Sequence, residues 1–137
     1  MAKIFSETWM QAFADAWNED ADMIENLANE KFSSIIGFGC IGDAEPISIV
    51  DVYNGEVVYA GDYKGQALDW DMRADVDAWK DWLTEGFGFD KLGVSIASGQ
   101  LQFVVGDYRK MIRNPNMAKP FLRHFELMKG LDTEFVR

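Results

Sequence analysis

The chain reads as an α+β domain, with about five strands in a mainly antiparallel sheet covered on one face by helices. Three observations predict this. Apolar residues recur with helical spacing toward both ends of the chain, and they alternate with period two through its middle. Asn54-Gly55 lies between two of the alternating runs, the strongest hairpin signal present. Elements segregated in this way favour a sheet with its helices gathered on one side.

Each element follows from local pattern. Ser6 with Glu7 opens an amphipathic helix carrying Trp9, Phe13, Ala16 and Trp17. The run NEDAD interrupts it, and Asp20 or Asp22 restarts a second helix with Ile24, Leu27 and Ala28. From Phe32 the period changes, and FSSIIGFGCI reads as a strand ended by GDAEP. ISIVDVY and EVVYAG are the hairpin arms. In ALDWDMRA, Leu68, Trp70 and Met72 are expected to face the helices, with Asp69, Asp71 and Arg73 on the other face and both carboxylates in solvent.

Asp75 caps the helix VDAWKDWLTEG, whose stripe is Val76, Trp79, Trp82 and Leu83 and whose end is Gly86. FGFDKLG reads as a loop. GQLQFVVGD, residues 99–107, is the last strand, with Leu101, Phe103 and Val105 on one side. Asp107 caps a short helix through Met111 and Ile112 that breaks at Asn114-Pro115. A final helix is expected to begin near Pro120, to carry Phe121, Leu122, Phe125 and Met128, and to stop at Gly130.

Bulk properties narrow the function. At 137 residues, 48% of them hydrophobic and 14% aromatic, the chain is expected to form a single globular domain over 1–137. No apolar run approaches the roughly 18–20 residues that span a bilayer. The opening MAKIFSETWM lacks the apolar stretch of a secretory signal, and Cys40 is the lone cysteine, so a cytoplasmic protein is expected. The net charge of −10 is uneven: residues 1–108 hold 20 Asp and Glu against 6 Lys and Arg, whereas residues 109–137 hold 3 against 7. The acidic body argues against a nucleic-acid partner. The basic end either complements its own acidic neighbours or meets an anionic head group, a membrane surface or an acidic partner.

Few residues carry a chemical signal. GFGCIG, Gly37 to Gly42, matches a dinucleotide-binding pattern, but a turn and a strand follow it instead of the helix that would hold a pyrophosphate. Glycines that let a strand lie against another backbone are the better reading. Asp69 and Asp71 lack a third ligand for a metal, and His124, the only histidine, reads as a surface residue of the last helix. Cys40 reads as a small buried side chain. No cofactor, metal or catalytic set is expected. The aromatics of the helices, with Met111, Met117 and Met128, form either an ordinary core or an apolar pocket, and spacing alone does not separate the two.

The order DVYNGEVVYAG, ALDWDMRADVDAWKDWLTEG, SGQLQFVVGDYRKM, together with the opening FSETWMQAFADAWNED, resembles the sterol carrier protein type 2 domain of bacterial single-domain type. The resemblance implies a five-stranded sheet under helices, with a hydrophobic tunnel for fatty acids, acyl-CoA, sterols or phospholipids. It places Leu101 and Phe103 on the tunnel floor, and Met111, Phe121 and Phe125 at its C-terminal closure. Trp79, Trp82, Leu83, Phe87, Ile112, Met117 and Met128 complete the expected ligand-binding set. The function so implied is non-enzymatic binding and transfer of an apolar molecule, with transient membrane or enzyme contact. The alternative is an accessory subunit, or a homodimer, that docks an enzyme through an aromatic surface.

Overall fold

A computed structural model describes residues 1–137. The elements in chain order are β1 (Ala2–Lys3), α1 (Glu7–Glu19), α2 (Ala21–Asn29), β2 (Ser34–Gly39), β3 (Ser48–Tyr53), β4 (Glu56–Asp62) and β5 (Trp70–Arg73). They continue with α3 (Val76–Glu85), α4 (Phe89–Ala97), β6 (Gln102–Val105), α5 (Tyr108–Arg113), α6 (Pro115–Lys129) and β7 (Thr133–Glu134). Five strands form the main sheet in the order β4-β3-β2-β5-β6, antiparallel except where β2 meets β5. The α+β class and the five-stranded, mainly antiparallel sheet are as the sequence predicts.

The local signals act as expected at several ends. The Ser6 hydroxyl accepts the Trp9 N–H, Asp20 accepts the Met23 N–H at 3.0 Å, and Asp107 accepts the Lys110 N–H at 3.2 Å. Asn54 and Gly55 make the β3–β4 turn with φ of +46° and +88°. Gly55 has a second reason to be glycine: a Cβ there would lie 2.9 Å from the Ala28 nitrogen and the Ile24 oxygen of α2. Helix α1 covers the outer edge of β4, which would otherwise offer free backbone groups. Asn18 makes two hydrogen bonds of 2.9 Å to the Val57 backbone, and Gln11 donates to the Ala60 carbonyl at 2.6 Å.

Between the helices and the inner sheet face lies one core of 25 buried residues. Three of its four tryptophans direct their indole N–H groups to acceptors, since a buried donor without a partner is costly. Trp9 donates to Thr133, Trp17 to the Gly55 carbonyl and Trp79 to the Gly39 carbonyl.

Five expectations are corrected. Asp71 is not in solvent, although it does lie opposite Met72 on the strand. Gly37 and Gly39 of β2, beside Asp71 and Arg73, leave room for the segment 40–47, and Pro46 rests where their Cβ atoms would be. That segment covers Asp71 and Arg73, which pair through Arg73 Nε to Oδ1 at 2.6 Å and Nη2 to Oδ2 at 2.9 Å. Arg73 also donates to the Asp43 carbonyl at 2.7 Å. Asp69 does remain exposed, and it accepts the Ile35 N–H at 2.9 Å.

The segment expected to be a loop after Phe87 is instead helix α4, built on Leu92 and Ser95 as its buried positions. Helix α6 begins at Pro115, not near Pro120, because Asn114 caps it and Pro115 fits its first turn. His124 is not on the surface but 4% exposed. Strand β6 is also shorter than residues 99–107, and the terminal β1–β7 pair, formed by segments far apart in sequence, had no local signal.

Because the Asp71–Arg73 pair is buried and bidentate, removing one partner strands the other charge. Asp71→Ala should therefore destabilise the fold by about 3–5 kcal/mol. The double change Asp71→Ala with Arg73→Met should recover much of that loss. Urea melts of the two variants check this, and equal midpoints would contradict it.

Candidate functional site: an apolar slot behind helices α5 and α6

The inner face does not close completely. A cavity of about 50 Å³ remains between α1, α2, the sheet and the α5–α6 pair. Trp17, Met23 and Leu27 of α1 and α2, with Phe32, line it on one side, Met111, Met117, Pro120, Phe121 and His124 of α5 and α6 on another, and Ile36, Trp70, Met72 and Phe103 of the sheet complete it. Ligand pockets for drug-sized molecules run from roughly 300 to 1,000 Å³, so the slot must widen to take one. Four methionines, Met23, Met72, Met111 and Met117, supply unbranched walls that can rearrange.

Each wall is positioned by features already described. Ile36 of β2 is the register partner of Trp70, and Phe103 of β6 that of Met72. Gly106, at φ +114°, lets the chain leave β6 directly over the Trp70 indole, where a Cβ would collide. Asp107 then starts α5, which brings Met111 to the rim. Asn114 ends α5 and caps α6, so Met117 and Phe121 follow within two turns. Arg123 of α6 pairs with Asp20 at the α1–α2 corner and ties the two walls together. The Met23 N–H and Arg123 outweigh a burial effect of opposite sign and hold the Asp20 carboxyl below its ordinary pKa.

Of the twelve residues expected from the sequence, Phe103, Met111, Met117 and Phe121 line the slot. The other eight lie outside its lining. Trp79, Trp82, Phe87 and Phe125 pack on one another, Trp82 edge-on to Trp79 and Phe87, and Phe87 stacked on Phe125 with centroids 4.2 Å apart. Leu83, Leu101 and Met128 belong to the same core, and Ile112 packs half-buried against it. Of the five residues that the resemblance assigns to floor and closure, Phe103, Met111 and Phe121 border the slot and Leu101 and Phe125 do not, while Trp17, Met23, Leu27, Phe32, Ile36, Trp70 and Met72 went unassigned as lining. Periodicity marked several of them as buried but could not tell which buried face borders empty space.

His124 is the polar exception in the lining. Its ring sits among Phe13, Trp17, Phe38, Phe121 and Phe125, with centroid distances from 4.7 to 6.3 Å. Nδ1 is bonded to the Phe121 carbonyl, which can only accept, so Nδ1 carries the proton. Nε2 is then a bare acceptor, buried and without a partner. Leaving such a group unsatisfied costs about 1–3 kcal/mol. Burial pushes the His124 pKa down to about 4, against a smaller opposite effect of the Phe121 carbonyl. At neutral pH the imidazole is uncharged.

Five cations of the α5–α6 segment, Arg109, Lys110, Arg113, Lys119 and Lys129, are exposed and make no ion pair, unlike Arg123 and Arg137. They belong to the same elements as Met111 and Met117. No group of three or more His, Cys, Asp and Glu side chains is arranged to hold a metal ion. Cys40 is buried, and burial raises its thiol pKa.

The depressed pKa of His124 sets a pH dependence of stability. The unfolded chain takes up a proton near the ordinary value of 6.5 and the folded chain only near 4, so the unfolded state binds more protons between them. Stability should fall as pH drops from 6.5 toward 4, by a total of about 3 kcal/mol. His124→Leu should flatten that window. Thermal melts between pH 7 and 4 check this, with any effect of Asp20 confined to lower pH.

No protein-family model matches the sequence, and no curated protein matches it. Solved structures do match in shape. The crystal structure of sterol carrier protein 2 superposes with a TM-score of 0.74 at 18% identity, covering 95% of this chain and 100% of that one. The solution structure of a conserved hypothetical protein from Thermus thermophilus, described as possibly a sterol carrier protein, gives a TM-score of 0.63 at 18% identity, covering 93% and 91%. UbiJ-SCP2, a ubiquinone synthesis protein, gives 0.58 at 12% identity over 88% and 87%. The sheet order, the helices packed on it and these superpositions agree on one architecture: the chain has the sterol carrier protein 2 fold.

Proposed function

We propose that this chain, acting as one domain, is a non-catalytic protein that binds and transfers an apolar small molecule in the slot behind α5 and α6. The observation that carries the reading is the lining itself: 11 of 13 residues are hydrophobic, aromatic rings and methionines dominate, and the cavity persists inside an otherwise well-filled core. A core with no ligand to receive gains stability by closing such a gap. The shared fold with sterol carrier protein 2 supports a lipid-like occupant. The unpaired cations of α5 and α6 suit contact with an anionic head group or membrane surface. A lone buried cysteine, and no helix long and apolar enough to cross a membrane, fit work in the cytoplasm.

A second reading rests on a different observation. Phe89 and Val94 of α4 and Val104 of β6 are each more than half exposed, and they offer an apolar surface to an enzyme or a second copy of the chain. The likeness in fold to a ubiquinone synthesis protein is in keeping with an accessory role.

Two substitutions separate the readings. Met117→Glu places a charge at the slot mouth and should weaken a fluorescent long-chain alkyl probe at least about tenfold. Phe89→Glu should leave that probe unaffected. Native mass spectrometry of the purified protein should show co-purified lipid in the wild type and less of it in Met117→Glu. A dry wild-type protein that ignores the probe, and whose self-association is lost in Phe89→Glu, would favour the accessory reading instead.

A further inference from the structure

We propose that His124 Nε2 is the anchoring acceptor for the ligand, and that the ligand is therefore a neutral apolar molecule whose buried end carries a hydroxyl. This rests on the reading of the slot as the ligand site and adds which chemical class it selects. Among the lining residues His124 alone has a buried hydrogen-bonding atom with no partner. The Trp17 N–H, the other buried polar group of the lining, is already satisfied by the Gly55 carbonyl. The Phe121 carbonyl holds the His124 tautomer, which leaves a lining residue of the slot with a buried lone pair on Nε2 and no donor to meet it.

A lone pair in an apolar enclosure discriminates sharply. An alcohol or phenol donates to it and satisfies both partners. An alkane fills the slot and leaves Nε2 orphaned. A carboxylate brings a second acceptor and a charge into a site with no neighbouring cation, since His124 is ringed by Phe13, Trp17, Phe38, Phe121 and Phe125. An acid is thus confined to the basic rim, whereas a hydroxyl can enter. Met23, Met72, Met111 and Met117 must change rotamer to admit the chain, because the cavity holds only about 50 Å³ as it stands.

The test compares three probes of equal length, 1-decanol, n-decane and decanoate, on the intact chain at neutral pH. Decanol should bind about tenfold tighter than decane, the effect of one hydrogen bond made to an otherwise unsatisfied acceptor. His124→Leu should bring the two affinities within about twofold. Because His124 is the only histidine, its Nε2 resonance can be followed in the wild type by nitrogen-15 NMR, without relying on a variant that folds. Decanol should move that resonance toward a hydrogen-bonded value, and decane should not. Equal binding of decanol and decane, with an unmoved Nε2, would overturn the anchor while leaving the carrier reading intact. Tighter binding of decanoate than of decanol would overturn the neutral-ligand class. Binding of none of the three would remove the carrier reading, and this inference with it.

Discussion

The aromatic rings of the core hold the helices to the sheet, and the remaining architecture depends on how they interlock. Phe5, with no exposed surface, packs edge-on to Trp9 and Trp79 and stacks on Phe38 at 5.7 Å. Phe38 in turn meets Phe13, and Trp79 stacks on Phe125. One connected set of rings therefore joins the N-terminal turn, α1, the central strand, α3 and α6. Phe5 adopts a left-handed φ of +62° to enter this set, a conformation that costs an L-residue roughly 1–2 kcal/mol. Its carbonyl is fixed by the buried Ser48 hydroxyl. The strain is tolerated because the packing around it over-determines the conformation.

Rings of fixed shape fill space well only where their neighbours can match them. Between this set and the α5–α6 pair, methionines from α2, β5, α5 and α6 stand among the rings of Trp17, Phe32, Trp70, Phe103 and Phe121. The slot lies where the two kinds of side chain mix. Behind its lining lies the rigid aromatic set, which packs against His124, and its front wall is a short helix and a proline-containing one. A short helix has little stability of its own, and openings for ligands are drawn from the least stable parts of a structure. A small but adjustable cavity follows from these two properties without any dedicated hinge.

Electrostatics reinforces the same division. The acidic body and basic end seen in the composition are only partly reconciled in the fold. Arg123 reaches Asp20 and Arg137 reaches Asp43, while Arg109, Lys110, Arg113, Lys119 and Lys129 stay unpaired. The one strongly buried ion pair, Asp71–Arg73, is on the opposite face of the sheet and serves the 40–47 segment. Charge is thus kept out of the slot and concentrated on the helices beside it.

What the sequence alone determined was whatever depends on contacts within a few residues. The caps at Ser6, Asp20 and Asp107, the Asn54-Gly55 turn, and the facing of Trp70 and Met72 all follow from local backbone geometry and periodicity. Phe103, Met111, Met117 and Phe121, which line the slot, were legible in the sequence as apolar positions toward the C-terminal end. The burial of His124 had a signal too. It follows Phe121 by three residues and precedes Met128 by four, on the apolar stripe of α6, yet Arg123 beside it made the position look polar. Only tertiary structure decided the rest. Asp71 is buried because a segment some 30 residues earlier in the chain folds over it. The inner wall of the slot comes from α1, α2 and β2, and β1 pairs with β7 across the whole length of the chain. Periodicity identifies which side of an element is apolar; only the packing of distant segments decides whether that side meets another wall or leaves a gap.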